Sequence, residues 1–157
     1  MIARGFTLLL LLVGILAIAG CGEETRADQP PDIDYGRDVC SRCNMIISEE
    51  RYAGGIVDED GEALIFDDIG EMIFVIQEEG LQERRVWVHD ADSLEWLDGT
   101  SAFYVASMDV VTPMGSGITA FEAEEDATAF AEANAGDVLT WDQVLNDWEW
   151  EMQRRMH

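Results

Sequence analysis

Cys40-Ser41-Arg42-Cys43-Asn44-Met45 puts two thiols and a thioether on one short stretch of chain. Such sulfur donors are soft and select Cu(I) or another thiophilic ion over Mg or Ca. On an extended segment, residues two apart point to the same side, so Cys43 and Met45 are expected to converge on one ion. On a helix the same pair would diverge by about 200°. The preceding Gln29-Pro30-Pro31-Asp32 is not a helical sequence, which favours the extended case. The Cys-x-x-Cys spacing supports two further readings, a redox dithiol and a disulfide. A thioredoxin-like motif, however, opens a helix in a βαβ context. Here a proline-containing stretch comes first and a hairpin follows, so redox catalysis is the weaker reading.

Two more residues offer ligand atoms at a distance. Met114 lies in Thr112-Pro113-Met114-Gly115-Ser116-Gly117, where Pro and Gly exclude a regular element. Methionine most often fills a gap in a core. This connection, though, is longer than its counterpart in the first half of the chain, and extra loop length often carries function. Met114 is therefore expected to be a third ligand. His89 ends a strand and meets Asp90, a carboxylate suited to holding its tautomer. Imidazole suits copper, but a single internal His is more often structural, so His89 ranks below Met114. Met72 falls on an apolar helix face, and Asp67-Asp68 reads as the start of a helix, where acids are favoured by the dipole. No Ser–His–acid arrangement and no glycine-rich phosphate loop is visible, and enzyme activity is not indicated.

The elements that must position these residues form a repeat. Residues 51–58 read as a strand, Glu59-Asp60-Gly61 as a turn, and Ala63-Leu64-Ile65-Phe66 as the hairpin partner. Ile69, Met72, Ile73 and Ile76 then fall at helical spacing, with Asp68 and Glu71 resembling a capping box and Gly80 placed to stop the helix. Val86-Trp87-Val88-His89 completes the unit as a strand. The second half repeats the order: a strand over 102–107, a long connection, Ile118-Thr119-Ala120-Phe121, an acid-opened helix closed by Gly136, and Val138-Leu139-Thr140. The expected fold is α+β, two tandem ββαβ repeats over residues 50–90 and 102–141, packed together because neither alone buries enough surface. A C-terminal helix over 141–155 follows, opened by Thr140-Trp141-Asp142-Gln143 as a capping box. Its stripe of Trp141, Val144, Leu145, Trp148 and Met152 suits core packing between the repeats.

The ends and the charge set the compartment. Arg4, an apolar run over 6–19, and Ile18-Ala19-Gly20-Cys21 match a secretory signal, too short for a membrane span. Small residues directly before Cys21 resemble a bacterial lipoprotein signal, in which residues 1–20 are removed and Cys21 is lipidated. Residues 21–36 are polar, contain Pro30-Pro31, and read as a flexible tether. That leaves Cys40 and Cys43 as thiols, too few for a disulfide framework or a four-cysteine zinc site. The net charge is −24, and every basic residue is Arg. Such a surface repels phosphate backbones, so nucleic-acid binding is not expected. It also repels anionic headgroups, which leaves membrane attachment to the lipid. Acidic, lysine-free composition suits a high-salt environment, where screening removes self-repulsion.

In order and spacing, these pieces resemble the NosL family of copper-binding lipoproteins that assist maturation of nitrous oxide reductase. The matching residues are Cys21, Cys43-Asn44-Met45, Phe66-Asp67-Asp68, Trp87-Val88-His89-Asp90, Ala102-Phe103-Tyr104-Val105 and 112–118. The resemblance implies a domain over 37–157 and a Cu(I) site on Cys43 and Met45. It implies a further ligand, Met114 by first choice and His89 by second. Cys40 is an addition present in a subset of the family, either a fourth ligand or a disulfide partner that would disable the site. The implied partner is a copper-receiving apoprotein, nitrous oxide reductase. A membrane-tethered thiol–disulfide oxidoreductase and a metal-free structural lipoprotein are the alternatives.

Overall fold

The computed structural model describes residues 26–146. Strands β1 (Gly54–Val57) and β2 (Ala63–Phe66) form an antiparallel hairpin, helix α1 (Ile69–Glu79) crosses back, and β3 (Arg85–His89) pairs with the other edge of β1. β5 (Phe103–Ala106), β6 (Ile118–Phe121), α2 (Glu124–Ala133) and β7 (Asp137–Leu139) repeat the same path. The sheet orders are β2-β1-β3-β4, with β4 at Trp96–Asp98, and β6-β5-β7, so each unit is ββαβ. The added strand β4 (Trp96–Asp98) pairs with β3. Three residues between polar turns carry no alternation, which is why the sequence does not announce it.

The α1 stripe is buried as its spacing predicts: Ile69, Met72, Ile73 and Ile76 are all at most 3% exposed. Each such side chain contributes about 1.5–3 kcal/mol on leaving water. They share one core with Phe66, Val86 and Val88 of the first unit and Tyr104, Ile118 and Ala120 of the second. The units are thus halves of one body. A smaller cluster of Val105, Phe121, Ala127 and Ala131 packs α2 on the second sheet.

Glycine in β1 is a packing requirement. A Cβ on Gly55 would stand 2.6 Å from Pro31, and one on Gly54 3.0 Å from the Met72 sulfur. The first of these contacts also corrects the expected tether. From Arg26 the chain docks on the first sheet, with Ala27 and Pro31 buried and Ile33 in the core. The Trp87 indole N–H donates to the Ala27 carbonyl at 3.2 Å, and Arg85 pairs with Asp28 at 2.7 Å.

Residues 141–146 open a third helix, α3. Its capping box is half made: Gln143 Oε1 accepts from the Thr140 N–H at 2.9 Å and from the Thr140 hydroxyl at 3.1 Å. Trp141 lies against Tyr104 and Val144 is fully buried. Trp148, Met152 and the rest of the expected helix fall outside the described residues, as do residues 1–20 and Cys21. Among the described residues no helix is long and apolar enough to cross a membrane.

Candidate metal centre

The sulfur-bearing stretch is a tight hairpin and not an extended segment. Val39 bridges Ile46, the Cys40 N–H donates to the Met45 carbonyl at 2.8 Å, and the Asn44 N–H donates to the Cys40 carbonyl at 3.0 Å. Asn44, between Cys43 and Met45, has φ 60°, the left-handed region that Asn tolerates. The same-side rule for strands therefore does not apply across it. The turn instead folds Cys43 back towards Cys40. The two sulfurs and a carboxylate oxygen of Asp67 all lie within 4.8 Å of one another. Both cysteines are free thiols, Cys40 buried and Cys43 half-buried. The Cys43 S–H donates to Asp67 Oδ1 at 3.4 Å.

Two residues, Ser41 and Arg42, clamp this hairpin to the first repeat. The Ser41 N–H donates to the Ile65 carbonyl at 2.7 Å and Ser41 Oγ accepts from the Ile65 N–H at 2.9 Å, which covers the outer edge of β2. Arg42 donates to both Glu71 oxygens, at 2.9 and 2.7 Å, and its guanidinium sits 3.9 Å from the Phe74 ring centroid. That use of Glu71 explains why the expected Asp68–Glu71 capping box is only half made. Asp68 caps α1 through the Gly70 N–H at 2.8 Å, while Glu71 turns away to Arg42.

Burial pushes the Cys43 thiol up to about 12, with the Met45 backbone N–H working against it and the Cys40 thiol and Asp67 carboxylate adding to it. In the metal-free chain the thiol is therefore protonated at neutral pH, and Asp67 is its hydrogen-bond acceptor. Asp67, only 2% exposed, is the site residue that sequence reasoning missed. A helix N-terminus accounts for an acid there by a local rule, and the partner 24 positions earlier in sequence is a tertiary fact.

The loop carrying Met114 meets the same helix end. Asp68 Oδ2 accepts from Thr112 Oγ1 at 2.7 Å and from the Met114 N–H at 2.9 Å. Gly117, at φ 68°, closes the loop where a Cβ would collide with the Ser107 carbonyl. Met45 and Met114 are 52% and 41% exposed, so core packing does not consume either thioether. The fold thus gathers Cys40, Cys43 and Asp67, with Met45 on the same hairpin and Met114 tied to the residue after Asp67.

His89 is placed differently. Its Nε2 takes the Tyr35 hydroxyl at 2.7 Å, its Nδ1 lies 2.7 Å from the Leu94 carbonyl, and its ring stacks 3.7 Å from Trp96. Both nitrogens have protein partners, and the ring is 3% exposed. Burial lowers its pKa, against the opposing pull of the Leu94 carbonyl, Glu50 and Glu95. Asp90 does not hold its tautomer as expected. That carboxylate instead accepts from Ser93 and from the Glu122 N–H, joining the two units.

Comparison with known proteins matches this framework. The NosL family model covers residues 33–149. The copper-binding lipoprotein NosL of Stutzerimonas stutzeri is 29% identical over 150 residues, spanning 88% of this chain and 78% of that protein. The crystal structure of the copper chaperone NosL from Shewanella denitrificans superposes with a TM-score of 0.67 at 22% identity. That match covers 75% of this chain and 96% of the other, and it shows a common fold.

Proposed function

This chain belongs to the NosL family, and from that premise we propose that it is an extracytoplasmic Cu(I) metallochaperone. In this reading residues 1–20 are a signal, Cys21 carries the lipid anchor, and the domain works at a membrane face. The cargo is one Cu(I) held by Cys43 and Cys40, with thioethers from Met45 and Met114. The recipient is a copper-requiring apoprotein, nitrous oxide reductase. His89, with both nitrogens engaged, is left out of the ligand set.

The observation that carries the reading is the convergence of Cys40, Cys43 and Asp67 within 4.8 Å, with an exposed Met45 on the same hairpin and an exposed Met114 bonded through its backbone to Asp68. Soft sulfur in low coordination number favours a monovalent, thiophilic ion. Loading replaces the S–H protons of Cys43 and Cys40 with the metal, both protons leaving to solvent, and the hydrogen bond from the Cys43 S–H to Asp67 Oδ1 is given up as the ion enters. Thioethers are neutral and bind without deprotonation, so they add affinity at no cost in protons. Release follows by ligand exchange, as donors of the recipient displace the exposed thioethers first.

The thiol–disulfide reading is disfavoured on chemistry. A catalytic dithiol needs a lowered thiol pKa at an accessible sulfur. Here burial raises Cys43, and Cys40 is 0% exposed. Titrating the reduced full chain with Cu(I) against a chromophoric chelator tests the proposal. One equivalent should bind tightly, and Cys43→Ser should abolish that binding. Tight stoichiometric binding by Cys43→Ser would contradict the assignment.

A further inference from the structure

Asp67 and Asp68 are consecutive and both buried, yet they serve different parts of the molecule. Asp67 faces the thiols. Asp68 uses Oδ1 for its own helix, accepting from the Gly70 N–H. Its Oδ2 accepts two donors from the second repeat, the Thr112 hydroxyl 44 residues away and the Met114 N–H 46 residues away. A helix cap needs one side-chain acceptor, so those two donors are not explained by capping. They also make the burial tolerable, because a carboxylate away from water must be surrounded by hydrogen bonds.

The loop is built around the same junction. The Thr112 hydroxyl gives its proton to Asp68, which leaves its oxygen to accept from the Gly117 N–H at 3.2 Å, with Ser116 Oγ 3.3 Å away. Asp68 therefore fixes the backbone nitrogen of the residue whose thioether the proposed site uses. A methionine side chain is flexible, so its backbone anchor sets where the sulfur can reach. We infer that Asp68 is a positioning residue for the metal. It holds the Met114 loop of the second repeat against the helix start that carries Asp67 and, through it, Cys43. A loop ordered in advance does not have to be ordered by the ion, and that saving appears as affinity.

This inference rests on the Cu(I)-carrier reading and extends it to a residue outside the ligand set. Its test is a competition titration of the reduced full chain with Cu(I) for wild type, Asp68→Asn, Met114→Leu and the double variant. Asparagine keeps an oxygen for Gly70 and is a good cap, but it presents an NH2 where two donors converge. Asp68→Asn should weaken binding about 10- to 100-fold, to the level of Met114→Leu. The double variant should fall no further, because both changes remove the same contribution. Thr112→Val, which leaves the cap untouched, should weaken binding in the same direction, and Thr112→Ser should restore it. If Asp68→Asn does not fold, the Thr112 pair decides the question in the same way.

Wild-type affinity in Asp68→Asn, with only a lower melting temperature, would reduce Asp68 to a cap and overturn the inference. Additive losses in the double variant would overturn it too. So would wild-type affinity in Met114→Leu while Cys43→Ser loses the metal, an outcome that leaves the carrier function standing. Tight binding by Cys43→Ser would remove the carrier reading itself.

Discussion

The two ββαβ units follow the same path, and their chemistry differs where each helix begins. Phe66 pairs with Gly54 at the end of the first hairpin, and Phe121 pairs with Phe103 at the end of the second. Asp67 therefore corresponds to Glu122, and Asp68 to Ala123. The first pair is buried and bonded to groups from outside its own unit. The second pair is exposed, and Ala123 offers α2 no side-chain cap. The architecture does not require buried carboxylates at this place, since the second unit folds with an exposed Glu122 and with Ala123 there. Their burial in the first unit is answered by the 40–45 hairpin and the 112–117 loop. The candidate site stands on one copy of a repeated frame.

The largest expected effect tests that the frames are equivalent. Phe66→Ala and Phe121→Ala should each lose about 3–5 kcal/mol in urea unfolding, as both rings are fully buried. A small loss at either position would break the correspondence. Next comes the difference in chemistry. Asp67→Ala should weaken Cu(I) binding about 10- to 100-fold in a chelator competition, and Glu122→Ala should leave it unchanged.

A third effect concerns His89, a buried imidazole at the end of β3; the shorter β7 stops at Leu139 and has no counterpart to it. The folded-state pKa of His89 lies below its unfolded value of 6.5. Its contribution to stability is thus full above that value and is lost as pH falls towards the folded pKa. Melting temperatures measured from about pH 7 to about pH 5 should fall more steeply in wild type than in His89→Gln. Equal slopes would show that the ring is not held neutral by the fold. The smallest effect supplies what the second unit lacks. Ala123→Ser should cap α2 and raise stability by about 1 kcal/mol, with Cu(I) affinity unmoved.

Much of the frame was legible because it is written in local patterns. The stripe of Ile69, Met72, Ile73 and Ile76 and the turn at Glu59-Asp60-Gly61 follow from short-range rules and appear as expected, and Gln143 reaches back to Thr140 as its half of the capping box. β4 was not legible, being three residues long, and neither was the docking of residues 26–36, which depends on Pro31 finding a glycine strand. The site divides in the same manner. Cys40 and Cys43 are close in sequence and close in space. Asn44 is a turn former, so the left-handed bend between Cys43 and Met45 had a signal that the extended reading passed over. Asp67 had no such signal, because the helix dipole already explains an acid at that position. His89 shows the converse: its neighbour in sequence, Asp90, is not its partner, and the groups that satisfy it are Tyr35 and Leu94.

Copper K-edge X-ray absorption on the Cu(I)-loaded full chain reads the proposed sulfur ligands themselves. A first shell of sulfur is expected, with an amplitude that falls in Met114→Leu and again in Met45→Leu. A shell made of nitrogen and oxygen, or a sulfur amplitude indifferent to both methionines, would contradict that ligand set.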